Sequence, residues 1–213
     1  MSSANHYYAG PASSHFDGLR FTNPAGEPET DRSMRDVLRW YRTAPRIRWP
    51  KSMPVSPSVP AERIDGLRIT MVGHASLLIQ TGRLNILTDP VWSNRSSPFT
   101  FAGPRRVTAP GIRMGDLPPI DVILLSHNHY DHLDIATLRD LHVRYAPRII
   151  TPLGNDSIIR RHIRDARVDT GDWFDCFGIA PGDAHRTCLA LVIAWRPRPP
   201  HGPVGWVHVE GLW

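Results

Sequence analysis

Cysteine is almost absent from this chain of 213 residues, which holds only Cys176 and Cys188. Two thiols cannot build a disulfide framework, and their spacing fits no zinc knuckle, so a reducing, cytoplasmic setting is expected. Lysine is scarcer still. Lys51 stands alone, so nearly all of the positive charge behind a net +5 is arginine. Such a balance suits an anionic partner such as a phospholipid headgroup or a phosphate ester. The arginine-for-lysine bias, however, reads as GC-rich coding rather than a nucleic-acid footprint, and nucleic acid is not the expected partner. No apolar run approaches the roughly 20 residues a membrane span requires. The N-terminus also lacks a basic patch followed by an apolar stretch, so neither a transmembrane segment nor a cleaved signal is expected. No internal repeat is visible.

Hydrophobic residues at 41% and charged residues at 21% are ordinary for a folded soluble domain. Residues 1–62 read as a Pro-rich arm with one short helix, where Met34, Val37, Leu38 and Tyr41 recur at helical spacing. Pro50, Pro54, Pro57 and Pro60 then forbid helix and predict an extended stretch. From Leu67 the texture becomes β-rich. Strands are predicted at 67–72, 76–80 and 84–88 as a meander, followed by a long loop to Pro119 carrying Trp92, Phe99 and Phe101. A continuous apolar strand, 122–125, is expected to be buried on both faces. Helices at 133–141 and 156–165 alternate with a strand at 148–151, which indicates layered α/β packing.

Directly behind the apolar strand stands Ser126-His127-Asn128-His129-Tyr130-Asp131-His132-Leu133-Asp134. In extended chain, side chains two apart point the same way, so His127 and His129 can grip one ion through neutral imidazole nitrogens. A turn after Tyr130 re-aims Asp131 and His132. Four ligand-type residues at this density suit one open divalent site or half of two adjacent ones. Capping of the following helix by Asp131 or Asp134 is the bland alternative, and it explains none of the three histidines.

This H-x-H-x-D-H pattern, preceded by a meander ending in Thr88-Asp89-Pro90, resembles the metallo-β-lactamase superfamily of hydrolases. Gly73-His74-Ala75-Ser76, Asp89-Pro90-Val91-Trp92-Ser93, Gly103-Pro104-Arg105-Arg106 and Leu117-Pro118-Pro119-Ile120-Asp121 narrow the likeness. With His15-Phe16-Asp17-Gly18, they are similar to the N-acyl-phosphatidylethanolamine phospholipase D branch and its bacterial relatives. The resemblance implies an αββα sandwich and Zn2+ as cofactor, two ions per complete site. His127 and His129 would hold the first ion and Asp131 and His132 the second. Asp131 is also the implied catalytic residue, orienting a metal-bound hydroxide that attacks a phosphodiester. Asp89 and His74 are expected to support the ligands rather than bind metal. The implied substrate is N-acyl-phosphatidylethanolamine or a related phospholipid, met at the membrane periphery. Arg105 and Arg106 are expected to be a solvated pair, and the residues that bind substrate are unassigned. The competing readings are a nuclease-type or other superfamily hydrolase, and an inactive metal-binding remnant.

The pattern also departs from the family. A third histidine for the first ion, a bridging aspartate and a final histidine for the second should follow, yet His185, His201 and His208 stand outside the family's contexts. Residues 63–182 therefore read as the first half of the domain and 183–213 as an anomalous, out-of-frame tail. The fold is expected to be an incomplete sandwich with an exposed sheet face and unpaired edges.

Overall fold

The computed structural model describes residues 5–14, 16–19, 21, 33–45, 50–172, 175–179, 188–192 and 208–209. Its centre is a six-stranded sheet in sequence order, built from β1 (Leu67–Gly73), β2 (Ser76–Thr81), β3 (Leu84–Thr88), β4 (Val122–Leu124), β5 (Arg148–Pro152) and β6 (Val168–Gly171). The first three strands form the predicted antiparallel meander. From β3 onward the pairing is parallel, and α2 (Ile135–Tyr145) and α3 (Asn155–His162) make the crossovers between β4, β5 and β6. A three-stranded antiparallel sheet follows, from β7 (Cys176–Gly178), β8 (Cys188–Val192) and β9 (His208–Val209). This is the mixed α/β architecture the residues implied.

Strand parity divides the core. Leu78 pairs with Leu87, Leu87 with Ile123 and Ile123 with Ile149, so one row of side chains crosses four strands on one face. That face packs against Leu138 and Leu141 of α2 and Ile159 of α3, all buried. The alternate residues Ile86, Val122, Leu124 and Ile150 face the other way and are covered by Ile179, with Phe177 partly buried beside it. Strand β4 is consequently buried on both sides, as its uninterrupted apolar run predicts. Cover thins toward the β1 edge, where Leu67, Ile69 and Met71 are exposed. The sheet face expected to be open is thus open along β1 and closed over the central strands.

The predicted helix in the arm is α1 (Met34–Thr43), opened by a reciprocal cap in which Ser33 and Asp36 satisfy each other's backbone N–H groups. Its Met34, Leu38 and Tyr41 remain exposed. Other parts of the arm do pack. Phe16 and Phe21 are buried, with their rings 4.5 Å apart. The Pro-rich stretch is extended and bonded to the domain, with Met53 N donating to Val107 O (3.0 Å) and Ser58 N to Gly111 O (2.8 Å). Gly111 is required where this loop passes β1, because a Cβ there would sit 2.3 Å from Met71 O. His15, and most of the tail assigned to an out-of-frame reading, including His185 and His201, lie outside the described residues.

The long β3–β4 connection is packed at its base and open at its tip. Ile112, Leu117 and Ile120 are buried, and Trp92 packs on the helical core while its Nε1 donates to Ile112 O (3.0 Å). Phe99 and Phe101 are 55% and 78% exposed and lie ring to ring at 5.5 Å. The three loop aromatics therefore do different things: Trp92 anchors, and the phenylalanines project.

Candidate metal centre

The chemistry collects at the carboxyl ends of β3 and β4. Parallel pairing of Thr88 with Leu124 places Asp89 beside Ser126, although 37 residues separate them in sequence. Asp89 is turned by a positive φ of 35° and is buried. Its Oδ1 accepts from Ser126 N (2.7 Å), and its Oδ2 accepts from Ser126 Oγ (2.6 Å) and lies 2.8 Å from His132 Nδ1. A carboxylate can only accept, so His132 carries its proton on Nδ1 and turns the Nε2 lone pair outward.

Ser126 does the same for His127. Its hydroxyl donates to Asp89 and so accepts from His127 Nδ1 (2.9 Å), which leaves His127 Nε2 basic. Burial, with the neighbouring His132 and His129 rings adding to it, pushes His127 down to about 4, so the ring is neutral at physiological pH. A neutral ring with a free nitrogen is what a metal requires.

After His129 the chain turns, with His132 N and Leu133 N both donating to His129 O (3.0 and 2.7 Å). The outcome is two adjoining groups. His127 Nε2 and His129 Nδ1 are 3.1 Å apart. On the other side, ligand atoms of His74, Asp131 and His132 all lie within 4.8 Å of one another. Here His74 Nε2 is 3.1 Å from Asp131 Oδ2 and 3.3 Å from His132 Nε2. The His127 and His132 rings join the groups, with centroids 3.9 Å apart. Two imidazole edges beside a carboxylate, with a second imidazole pair adjoining, form a donor set of nitrogen and oxygen suited to a divalent transition ion.

All six residues singled out from the sequence thus come together, but His74 sits differently from its expected supporting place. It is held at φ 52° in the β1–β2 turn, and its Nε2 points into the same space as Asp131 and His132 rather than behind them. Ser126 was missed, and the sequence carried no mark of it beyond its place before His127. Asp134 is a cap. Its Oδ1 accepts from Ala136 N and Thr137 N, and its Oδ2 accepts from Thr137 Oγ1, Trp92 N and Ser93 N. One buried carboxylate thereby starts α2 and clamps the β3–β4 loop. Asp134→Ala is expected to lower stability by about 2–3 kcal/mol, the loss of an N-cap plus orphaned loop donors, read by urea unfolding.

A cleft of about 390 Å3 opens beside His74 and Asp131, walled by Ser93, Arg105 and Arg106. Arg106 is not the solvated residue expected. It is half-buried, donates to Val91 O (2.7 Å) and Ser93 O (3.3 Å), and loses some of its affinity for the proton through burial, an effect partly offset by Asp134. Its hydrogen-bond partners are neutral carbonyls, which leaves its charge available to an anion in the cleft.

The family model described as "Beta-lactamase superfamily domain" matches residues 84–207, more than half of the chain. An uncharacterized protein of Mycobacterium tuberculosis is 31% identical over 155 residues, 71% of this chain and 42% of that protein. The N-acyl-phosphatidylethanolamine-hydrolyzing phospholipase D 1 of Caenorhabditis elegans is 41% identical over 91 residues, 42% of this chain and 25% of that protein. Among solved structures, the diiron beta-hydroxylase CmlA of Streptomyces venezuelae superposes with a TM-score of 0.45 at 22% identity, over 61% of this chain and 24% of that one. The chain spans less than half the length of the curated relatives it matches. On the match across β3, the loop at 126–134 and the sheet beyond it, the chain belongs to the beta-lactamase superfamily, with the metallo-β-lactamase type of fold.

Proposed function

We propose that this chain carries the ligand loop of a zinc-dependent phosphodiester hydrolase of phospholipase D type, acting on N-acyl-phosphatidylethanolamine or a related phospholipid. The observation that carries the reading is the juxtaposition of the His127–His129 pair with the His74–Asp131–His132 group at the mouth of a cleft walled by Arg106. Similarity to the C. elegans phospholipase D over 91 residues supports the substrate class. His127 and His129 are assigned to one ion, and Asp131, His132 and His74 to a second. Bound there, divalent zinc would lower the pKa of water toward 7 and offset charge developing on the phosphoryl oxygens.

The protein's own groups do the positioning. Asp131, a half-exposed carboxylate 3.1 Å from His74 Nε2 at Oδ2, can accept the proton of an attacking water at the oxygen not taken up by an ion. Asp89 and Ser126 hold the His132 and His127 rings from behind, so the ligand nitrogens need no reorganisation when charge appears. Arg106 faces the cleft as a fixed cation for the second phosphate oxygen. No helix among the described residues is long and apolar enough to cross a membrane. Contact with lipid on this reading is peripheral.

The test is hydrolysis of N-acyl-phosphatidylethanolamine by the full chain with added zinc, in parallel with single-stranded RNA. Release of an N-acylethanolamine and phosphatidic acid, lost in His129→Ala, is the expected result. Cleavage of RNA with the lipid untouched would establish the nuclease-type alternative. Stoichiometric zinc with neither activity would mark the chain as a metal-binding remnant.

A further inference from the structure

A second, larger cavity of about 760 Å3 lies between the 93–100 segment, the start of α2 and the exposed side of α3. Asn128 and Tyr130 of the metal loop form part of its wall, but His127, His129, Asp131 and His132 do not, and Ser93 is the one residue it shares with the cleft described above. Its charge is one-sided. Arg95, Arg139 and Arg161 line it together with His162, and Asp134 is the single carboxylate among the lining residues. Among the described residues, Asp134 forms no ion pair with any of the three, and its oxygens accept from backbone and hydroxyl donors of α2 and the β3–β4 loop. Arg95 donates to Gly103 O (2.6 Å) and Arg139 to His162 O (3.3 Å), both neutral acceptors. Neither these two arginines nor Arg161 forms an ion pair among the described residues. The α2 N-terminus contributes nothing to this field, because Asp134 already occupies its first N–H groups.

Three guanidinium groups gathered around a concave space with one carboxylate between them leave a net positive charge, and an anion of matching size offsets it. Planar forks of N–H donors fit the oxygens of a phosphate better than a single carboxylate-sized charge. Ser97 Oγ accepts from Phe99 N, which leaves its proton for a further phosphate oxygen. We propose that this cavity is a binding site for a phosphate group, separate from the metal cluster and independent of the hydrolase reading. The phosphate can be free in solution or borne by a lipid headgroup. The neighbouring Phe99 and Phe101, exposed at the tip of the same loop, supply the means of telling the two sources apart.

Equilibrium dialysis of the full chain against inorganic phosphate forms one arm. Co-sedimentation with phosphatidylcholine vesicles, with and without phosphatidic acid, forms the other. The double variant Arg139→Ser/Arg161→Ser removes two exposed cations. It is expected to weaken phosphate binding, and retention on phosphatidic-acid vesicles if lipid is the source, by roughly tenfold or more. Its metal content and unfolding curve should match the unaltered chain, which keeps this result distinct from failure of the metal site. Phe99→Ser/Phe101→Ser is expected to lower vesicle retention alone if the phosphate is lipid-borne and to change neither arm if it is free. Absence of phosphate and vesicle binding in the unaltered chain, or binding undiminished in the arginine variant, would overturn the proposal.

Discussion

Asp89→Ala is expected to destabilise this chain by about 3–5 kcal/mol and to abolish ordered metal binding, the largest effect of any single substitution outside the apolar core. The carboxylate is 5% exposed and holds three donors at once: Ser126 N, Ser126 Oγ and His132 Nδ1. Alanine leaves the buried Ser126 N–H without an acceptor, and an orphaned buried donor costs about 1–3 kcal/mol by itself. Asp89→Asn separates the structural from the chemical role. Its carbonyl oxygen can still accept from Ser126 N, but its amide must donate toward His132 Nδ1. That forces the proton of His132 onto Nε2, the nitrogen facing His74 and Asp131. Stability should fall by less than for Ala, while metal affinity falls by roughly 10–100-fold, as for other partners that orient metal-bound histidines. Denaturant unfolding and competition with a chromophoric chelator measure the two effects. Equal losses of stability and affinity in the two variants would show that Asp89 is only a structural buttress.

His132→Ala carries the second large effect. This ring lies within 4 Å of Asp131 and His74, bonds Asp89 and packs against His127, so it belongs to both halves of the cluster. Its removal should reduce metal affinity by roughly 100-fold or more, beyond the effect of losing an outer partner. His129→Ala touches only the His127 side. It is expected to remove one metal equivalent and leave an ion at His74, Asp131 and His132, with His74→Ala as the converse. Metal analysis by mass spectrometry on each variant decides the matter. Loss of all bound metal in both His129→Ala and His74→Ala would mean a single shared ion and would sink the two-ion assignment.

Much of this was legible in the residues because the information is local. The β-rich run Ser76 to Gln80 and the unbroken run Val122 to Leu125 each predict a strand, and both are found, β4 buried on both faces. Strands β6 and β7 escaped notice because four and three residues are too short for a period, and their pairing is imposed by β5 and β8. The apolar stripe of α1 was visible as well, but a stripe does not say what covers it, and Met34, Leu38 and Tyr41 are exposed.

The metal loop shows where the division falls. By itself the sequence determined that His127, His129, Asp131 and His132 leave a buried strand within six positions, since period and turn act over a few residues. Only tertiary structure decided what surrounds them. Parallel pairing of β3 with β4 brings Asp89 to Ser126, and the β1–β2 turn carries His74 across to Asp131. Folding of the β3–β4 loop buries Arg106 against the carbonyls of Val91 and Ser93. These meetings depend on sheet register and loop packing, which are set by burial over the whole domain. No short window of sequence contains them.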